Sequence, residues 1–312
     1  MKITIVEPLG ISKASFEKLK EEFEASGNVF SYYMDRNEDA EVLVERMKDA
    51  DIVVISNIKL TAEVLGKCPN LKMLSVAFTG LDHIDLDYCK QKSIDVFNAS
   101  GYSTVAVAEL AIGLMLDVYR KITEMDTTTR NLGGRGMFLG RELHGKTVGV
   151  VGTGAIGLQT IRLLLAFGCN VIAYSRTEKD EAKAWGVRYV SLDTLMAEAD
   201  IVTLHVPATK ETSKLIDADK IALMKSTAVL INTARGAVVD NEALAFALKE
   251  GKIAGAGIDV YENEPPLAKD YALLSAPNAV LLPHVAYATR EAFDIRADIV
   301  MNTVRKWIKG NL

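Results

Sequence analysis

Three residues far apart in the chain carry side chains that together could reduce a carbonyl: Arg235 in Ile231-Asn232-Thr233-Ala234-Arg235-Gly236, Glu264 just ahead of Pro265-Pro266, and His284 in Pro283-His284-Val285-Ala286. Reduction of a 2-keto acid needs a cation for the carboxylate and carbonyl, a proton donor for the carbonyl oxygen, and a group that keeps that donor charged. A guanidinium fork matches a carboxylate in two parallel hydrogen bonds. An imidazole changes charge near neutral pH, and a carboxylate beside it favours the protonated ring. Taken singly, the arginine reads as a surface charge after a strand, Glu-Pro-Pro as a loop and the histidine as a satisfied polar group. The three gain weight because each follows a β-like run, at the strand end where open α/β sheets bind ligands.

The same chain carries Gly152-Thr153-Gly154-Ala155-Ile156-Gly157 directly after the apolar run Lys146–Val151 and directly before the apolar-faced stretch Leu158–Phe167. This is G-x-G-x-x-G between strand and helix. Gly152 permits a tight turn, Gly154 lets the backbone approach a pyrophosphate, and Gly157 lets helix and strand pack closely. The helix N-terminus adds N–H donors and a positive dipole end. The next strand, Val171–Tyr174, leads into Ser175 and Arg176, where an acid would bind a ribose 2′-hydroxyl. A hydroxyl and a guanidinium suit a 2′-phosphate, so the cofactor expected is NADP(H) in preference to NAD(H). Arg176 as a solvated arginine stacked over adenine would instead leave NAD(H) possible.

The elements that must position these groups alternate throughout. Ile3–Val6, Val29–Tyr32, Ile52–Ile55, Met73–Val76 and Asp95–Phe97 read as strands, with helical spacing over Phe16–Phe23, Ala40–Met47 and Ala62–Leu65. A long helix is expected over Val105–Met125, then a Gly/Arg-rich loop, Arg130–Gly136. A second series has strands at Val148–Val151, Val171–Tyr174, Ile201–His205, Val229–Asn232, Gly257–Val260 and Val280–Leu282, and a last helix at Arg290–Lys309. Such alternation predicts parallel sheets covered by helices. The last helix is expected to return to the first domain. That gives a discontinuous domain of residues 1–99 and 287–312 and an inserted one of residues 100–286.

Hydrophobic residues make up 49% and charged residues 25% of 312, enough for two cores. The net charge of -5 and the mixing of both signs argue against nucleic acid or an anionic membrane as partner. The N-terminus lacks a signal-peptide layout, and no apolar stretch is long enough to span a bilayer. Cys68, Cys89 and Cys169 have no metal-ligand spacing. A cytoplasmic setting without a metal is the expectation.

On these motifs the chain resembles the D-isomer-specific 2-hydroxyacid dehydrogenases. The resemblance runs through Asn98–Glu109, Gly152–Gly157, Leu204-His205-Val206-Pro207 with Glu211-Thr212, Met224–Asp240, Gly257–Pro265 and Pro283-His284. It implies an α/β protein of two doubly wound parallel-sheet domains, a Rossmann dinucleotide-binding domain inserted into a flavodoxin-like substrate domain. It implies a catalytic set of Arg235, Glu264 and His284. Cofactor contacts fall at Ala155, Ile156, Val206, Thr233 and Asp259, joined by their motif neighbours Pro207, Thr212 and Ala234, with Asp259 on the nicotinamide carboxamide. Val76–Asp82 is similar to the family's loop for the substrate carboxylate, which places Ala77, Phe78, Thr79 and Gly80 at the substrate beside Arg235 and His284. His83 and His144 read as structural or loop residues, and His205 as packing near the cofactor. Pro283–Thr289 is similar to the stretch in glycerate dehydrogenases and hydroxypyruvate or glyoxylate reductases, which favours a small 2-keto acid, although Tyr287 departs from the Trp those usually carry. D-lactate-like or larger substrates, or a dinucleotide-sensing corepressor, are the alternatives. The Val105–Met125 helix and the Arg130–Phe138 loop resemble a homodimerisation arm. Ending at Leu312, the chain is expected to lack the regulatory domain of some 3-phosphoglycerate dehydrogenases.

Overall fold

A computed structural model describes residues 1–310. The chain divides into two compact units, Met1–Ser103 with the stretch from Ala288 onward, and Thr104–Tyr287.

The first unit holds β1 (Lys2–Ile5), α1 (Lys13–Ala25), β2 (Val29–Tyr32), α2 (Ala40–Met47), β3 (Ile52–Ile55), α3 (Ala62–Gly66), β4 (Met73–Val76), α4 (Leu86–Gln91) and β5 (Asp95–Asn98). All pairings are parallel, in the order β2-β1-β3-β4-β5, the flavodoxin-like order. β3 is buried along its whole length, as a strand covered on both faces must be, and its Ile-Val-Val-Ile run supplies stiff β-branched side chains for both.

The second unit holds α5 (Thr104–Arg120), α6 (Ile122–Arg130), β6 (Thr147–Val151), α7 (Ala155–Ala166), β7 (Asn170–Tyr174), α8 (Asp180–Ala184), β8 (Arg188–Tyr189), α9 (Leu192–Glu198), β9 (Ile201–Leu204), α10 (Ala218–Leu223), β10 (Val229–Asn232), α11 (Asn241–Lys249), β11 (Gly255–Ile258) and β12 (Ala279–Leu281). Its seven parallel strands run β12-β11-β10-β9-β6-β7-β8, the Rossmann order with one strand added at the β12 edge. Neighbouring residues feed opposite faces. Leu230 and Val151 join the cluster with Leu195, Leu204 and Leu244, while Ile231 and Val150 join that of Met115, Ile161 and Leu164. The final helix, α12 (Arg290–Ile308), belongs to the first unit, where it packs on β4 and β5 and buries Ala297, Val300, Met301 and Val304.

One expectation is overturned. Val105–Met125 is not a single helix: Lys121 takes a left-handed conformation with φ 49°, which ends α5 and starts α6. The Asp117 carboxylate causes the restart by accepting hydrogen bonds from Thr123 N at 2.9 Å and Thr123 Oγ1 at 2.6 Å, capping the first turn of α6 from the last turn of α5. β11 also begins two residues earlier than the Gly257–Val260 run suggests. Among the described residues no helix is long and apolar enough to cross a membrane, and no cluster of acidic, His or Cys side chains could hold a metal. The three cysteines are buried and unbridged, and burial pushes each thiol up to about 11.

Candidate active site

The glycine loop follows β6 without a break. Gly152 has φ 99°, and a Cβ there would lie 2.5 Å from the His205 carbonyl oxygen; at Gly157 it would lie 2.0 Å from the oxygen of Gly152. Neither position can carry a side chain. Gly154 caps α7 with no side-chain bond and has open space where its Cβ would be. The N–H groups of Ala155 and Ile156 therefore open the helix in the manner that takes a pyrophosphate. After β9, Val206 and Pro207 lead into a turn that Thr212 braces by donating to the Pro207 oxygen at 2.6 Å. Thr233, just past β10, buries a hydroxyl that has no partner among the described residues. An unsatisfied buried hydroxyl at a strand end fits a site completed by a bound polar group, so these residues suit a dinucleotide.

His205 lies behind the loop. Its ring bonds to the Thr203 hydroxyl at 3.1 Å, and burial holds it down at about 4. Because this folded value lies below the ordinary 6.5, the unfolded chain takes the proton first, and stability present above pH 6.5 is lost as pH falls toward 4. Between pH 7 and pH 5 this group is expected to cost about 2 kcal/mol of unfolding free energy. Urea titrations at both pH values should show that slope, and it should largely disappear in His205→Gln, which keeps a partner for Thr203.

The proposed chemical groups follow three neighbouring strands, β10, β11 and β12, at their C-terminal ends. Asn232, the fully buried last residue of β10, holds the turn that presents Arg235: its Oδ1 accepts from Ala234 N at 3.0 Å and its Nδ2 donates to the Arg235 oxygen at 3.0 Å. Asn241 Nδ2 adds a bond to the Gly236 oxygen at 3.3 Å. Arg235 itself is extended, and its Nη1 reaches the Ala234 oxygen at 2.7 Å. Just past β11, Asp259 is fully buried and uses both carboxylate oxygens, Oδ1 for Val285 N at 2.8 Å and Oδ2 for Ala286 N at 2.9 Å. Burial raises its proton affinity, the two N–H donors and the His284 charge lower it, and Glu264 raises it again, for a net upward shift.

These bonds fix the backbone that carries His284, which sits in the left-handed region at φ 55°. A non-glycine residue holds that conformation only where its surroundings impose it. The structure brings Glu264 and His284 together, with Nδ1 to Oε1 at 3.0 Å, the histidine well shielded and the glutamate half exposed. The ring of Tyr287 stands edge-on to the imidazole at 5.4 Å.

Ser175 and Arg176 follow β7, half-buried and exposed respectively, and the Arg176 charge, after a bond from Thr209, helps hold the Glu211 carboxyl below its ordinary value. In the first unit, Ala77, Phe78, Thr79 and Gly80 form the turn after β4. Their carbonyls are taken by Ser56 Oγ at 3.3 Å, Ala99 N at 3.0 Å and Asn98 Nδ2 at 2.7 Å, for Ala77, Phe78 and Thr79 in turn. His83 stacks edge-on to Phe78, and His144 is an exposed turn residue.

Sequence reading did not single out Asn232, Asn241 or Tyr189. For Asn232 a signal existed, since a short amide at the end of a buried strand is the residue type that bonds the backbone two positions on.

Residues 112–286 match the model of the D-isomer specific 2-hydroxyacid dehydrogenase NAD binding domain. A glyoxylate reductase from Thermococcus litoralis is 42% identical over 87% of this chain and 84% of its own length. A D-3-phosphoglycerate dehydrogenase from Methanocaldococcus jannaschii is also 42% identical over 87% of this chain, which spans about half, 52%, of that relative. Among solved structures, an acyclic imino acid reductase (Bsp5) in complex with NADPH and D-Arg superposes with a TM-score of 0.88 at 30% identity, covering 100% of this chain and 98% of that one.

Proposed function

Because the chain belongs to the D-isomer specific 2-hydroxyacid dehydrogenase family, oxidoreductases that act on CH–OH groups with a nicotinamide dinucleotide, we propose that it reduces glyoxylate or hydroxypyruvate with NADPH and runs the reverse oxidation through the same groups. The observation that carries this is the His284–Glu264 pair at 3.0 Å. Nδ1 is the nitrogen held by the carboxylate, so Nε2 serves the substrate. In reduction His284 gives its proton to the keto oxygen as that oxygen becomes a hydroxyl, and in oxidation it takes the proton back. Glu264 orients the ring by accepting from Nδ1. Arg235 grips the substrate carboxylate and polarises the carbonyl. When bound, a reduced nicotinamide would supply the hydride to C2. We assign the cofactor to the second unit, with Ala234, Thr233 and Asp259 at its nicotinamide end, and the substrate carboxylate and carbonyl to Arg235 and His284 of the same unit.

The preference for NADPH rests on Ser175 and Arg176 after β7. The residues lack an acid that would repel a 2′-phosphate, and the nearby Glu178 is taken up by Lys183 at 2.6 Å. A homodimer is supported by Leu132, Met137 and Leu139, which are 97%, 95% and 81% exposed beside α6, since apolar side chains in such a group gain from burial against a partner. Light scattering at twice 34.0 kDa checks it.

The test of the function is a panel of glyoxylate, hydroxypyruvate, pyruvate, 4-methyl-2-oxopentanoate and phenylpyruvate, each run with NADPH and with NADH. The two small substrates with NADPH are expected to exceed every other combination in kcat/KM by about tenfold or more, the usual value of a few methylenes or one charged hydrogen bond. Highest activity with pyruvate or a branched acid moves the substrate assignment to a D-lactate-like or larger acid. No turnover with any member moves the protein to a dinucleotide-sensing binding role.

A further inference from the structure

The two pieces of chain that would grip opposite ends of the adenosine half are joined by one side chain. β8 is a two-residue edge strand, paired parallel to β7 through Ile172↔Arg188 and Ala173↔Tyr189. Its Tyr189 hydroxyl accepts a hydrogen bond from Lys179 N at 3.0 Å and donates one to Thr153 Oγ1 at 3.1 Å. Thr153 lies inside the glycine loop between Gly152 and Gly154 and is only 1% exposed. Lys179 closes the turn that begins with Ser175 and Arg176, and it caps α8 without a side-chain bond of its own. The hydroxyl thus uses both its donor and an acceptor site to bind the far end of the turn to the loop; the near end is already joined to the loop where Gly152 N donates to the Tyr174 oxygen at 2.7 Å.

We propose that Tyr189 is a positioning residue for cofactor choice: its hydroxyl ties the Lys179 end of the Ser175–Lys179 turn to the glycine loop and so, together with the Gly152–Tyr174 bond at the other end, sets the distance between the 2′-phosphate grip and the pyrophosphate grip. This rests on the NADPH reading above. A ligand held at both points feels that distance, because hydrogen bonds weaken steeply when donor and acceptor are misplaced. A ligand without the 2′-phosphate engages the turn less and depends on the tether less.

The substitution Tyr189→Phe removes one oxygen and keeps the ring on β8, and a thermal melt records that the fold is retained. Calorimetric titration with 2′,5′-ADP and with 5′-AMP isolates the 2′-phosphate without any turnover. Wild type is expected to favour 2′,5′-ADP, and Tyr189→Phe to shrink that preference about fivefold, the ordinary value of one well-made hydrogen bond. In an Arg176→Ala background the same substitution is expected to leave the residual preference unchanged, because the tether then has no 2′-phosphate grip to position. An unchanged preference in Tyr189→Phe overturns the tether and leaves the NADPH reading standing. Equal affinity of wild type for the two probes overturns both. An equal loss for both probes marks Tyr189 as a general support of the loop and also overturns the proposal.

Discussion

Replacing His284 by asparagine is expected to lower kcat for glyoxylate reduction about a thousandfold, while NADPH affinity stays within about threefold. Asparagine is the informative choice because it tolerates the left-handed backbone that His284 adopts at φ 55°, as alanine does not. The loop is held by Asp259 through the N–H groups of Val285 and Ala286, so it keeps its place when the ring is removed. What disappears is the proton carried to the carbonyl oxygen, and an amide cannot replace it. Steady-state rates for both proteins, with NADPH binding followed by fluorescence, check the result. A kcat within tenfold of wild type would remove His284 from the chemistry. Glu264→Gln should fall in between, since the glutamine still accepts from Nδ1 but through a weaker, uncharged hydrogen bond that orients the ring less firmly.

The second large effect falls on substrate affinity. Arg235→Ala is expected to reduce kcat/KM about a thousandfold, roughly 4 kcal/mol, through loss of a paired charge-assisted hydrogen bond to a carboxylate. Most of the loss should be in KM for the keto acid, with KM for NADPH little changed. The turn itself should persist, because the carbonyls of Arg235 and Gly236 remain held by Asn232 and Asn241. Arg235→Lys restores the charge without the fork and should recover only part of the affinity. A keto-acid KM unaltered in Arg235→Ala would exclude the arginine from the carboxylate.

Where the chain buries a strand on both faces, its sequence announces it. Ile52–Ile55 and Val229–Asn232 are read directly because no exposed face interrupts their apolar runs. The glycine loop is legible for a related reason, since Gly152 and Gly157 stand where backbone approaches backbone. The break at Lys121 is not, because lysine carries no turn signal and the cause is the side chain of Asp117. β8 is too short to show a period, yet its Tyr189 bridges two functional segments. Asp259 illustrates another limit. The family resemblance points it at the nicotinamide but says nothing of its backbone partners Val285 and Ala286, which lie 26 and 27 residues away and emerge only when β11 and β12 pair. The Glu264–His284 pair has the same character: residue types suggest it, but pairing depends on a loop whose path no local pattern encodes.

The closing of the first unit by α12 bears on how the protein is made. Ser75 Oγ bonds to the Val300 oxygen, and Arg296 Nη2 to the Leu9 oxygen, across 225 and 287 residues of chain. On the ribosome, strands β1 to β5 emerge first but must wait, with the part of β4 and β5 that α12 covers still bare, while the whole inserted unit is synthesised. That unit is contiguous and can finish its own core in the meantime. Nascent chains halted between Tyr287 and α12 should therefore hold a protease-resistant second unit beside an unfinished, chaperone-dependent first one.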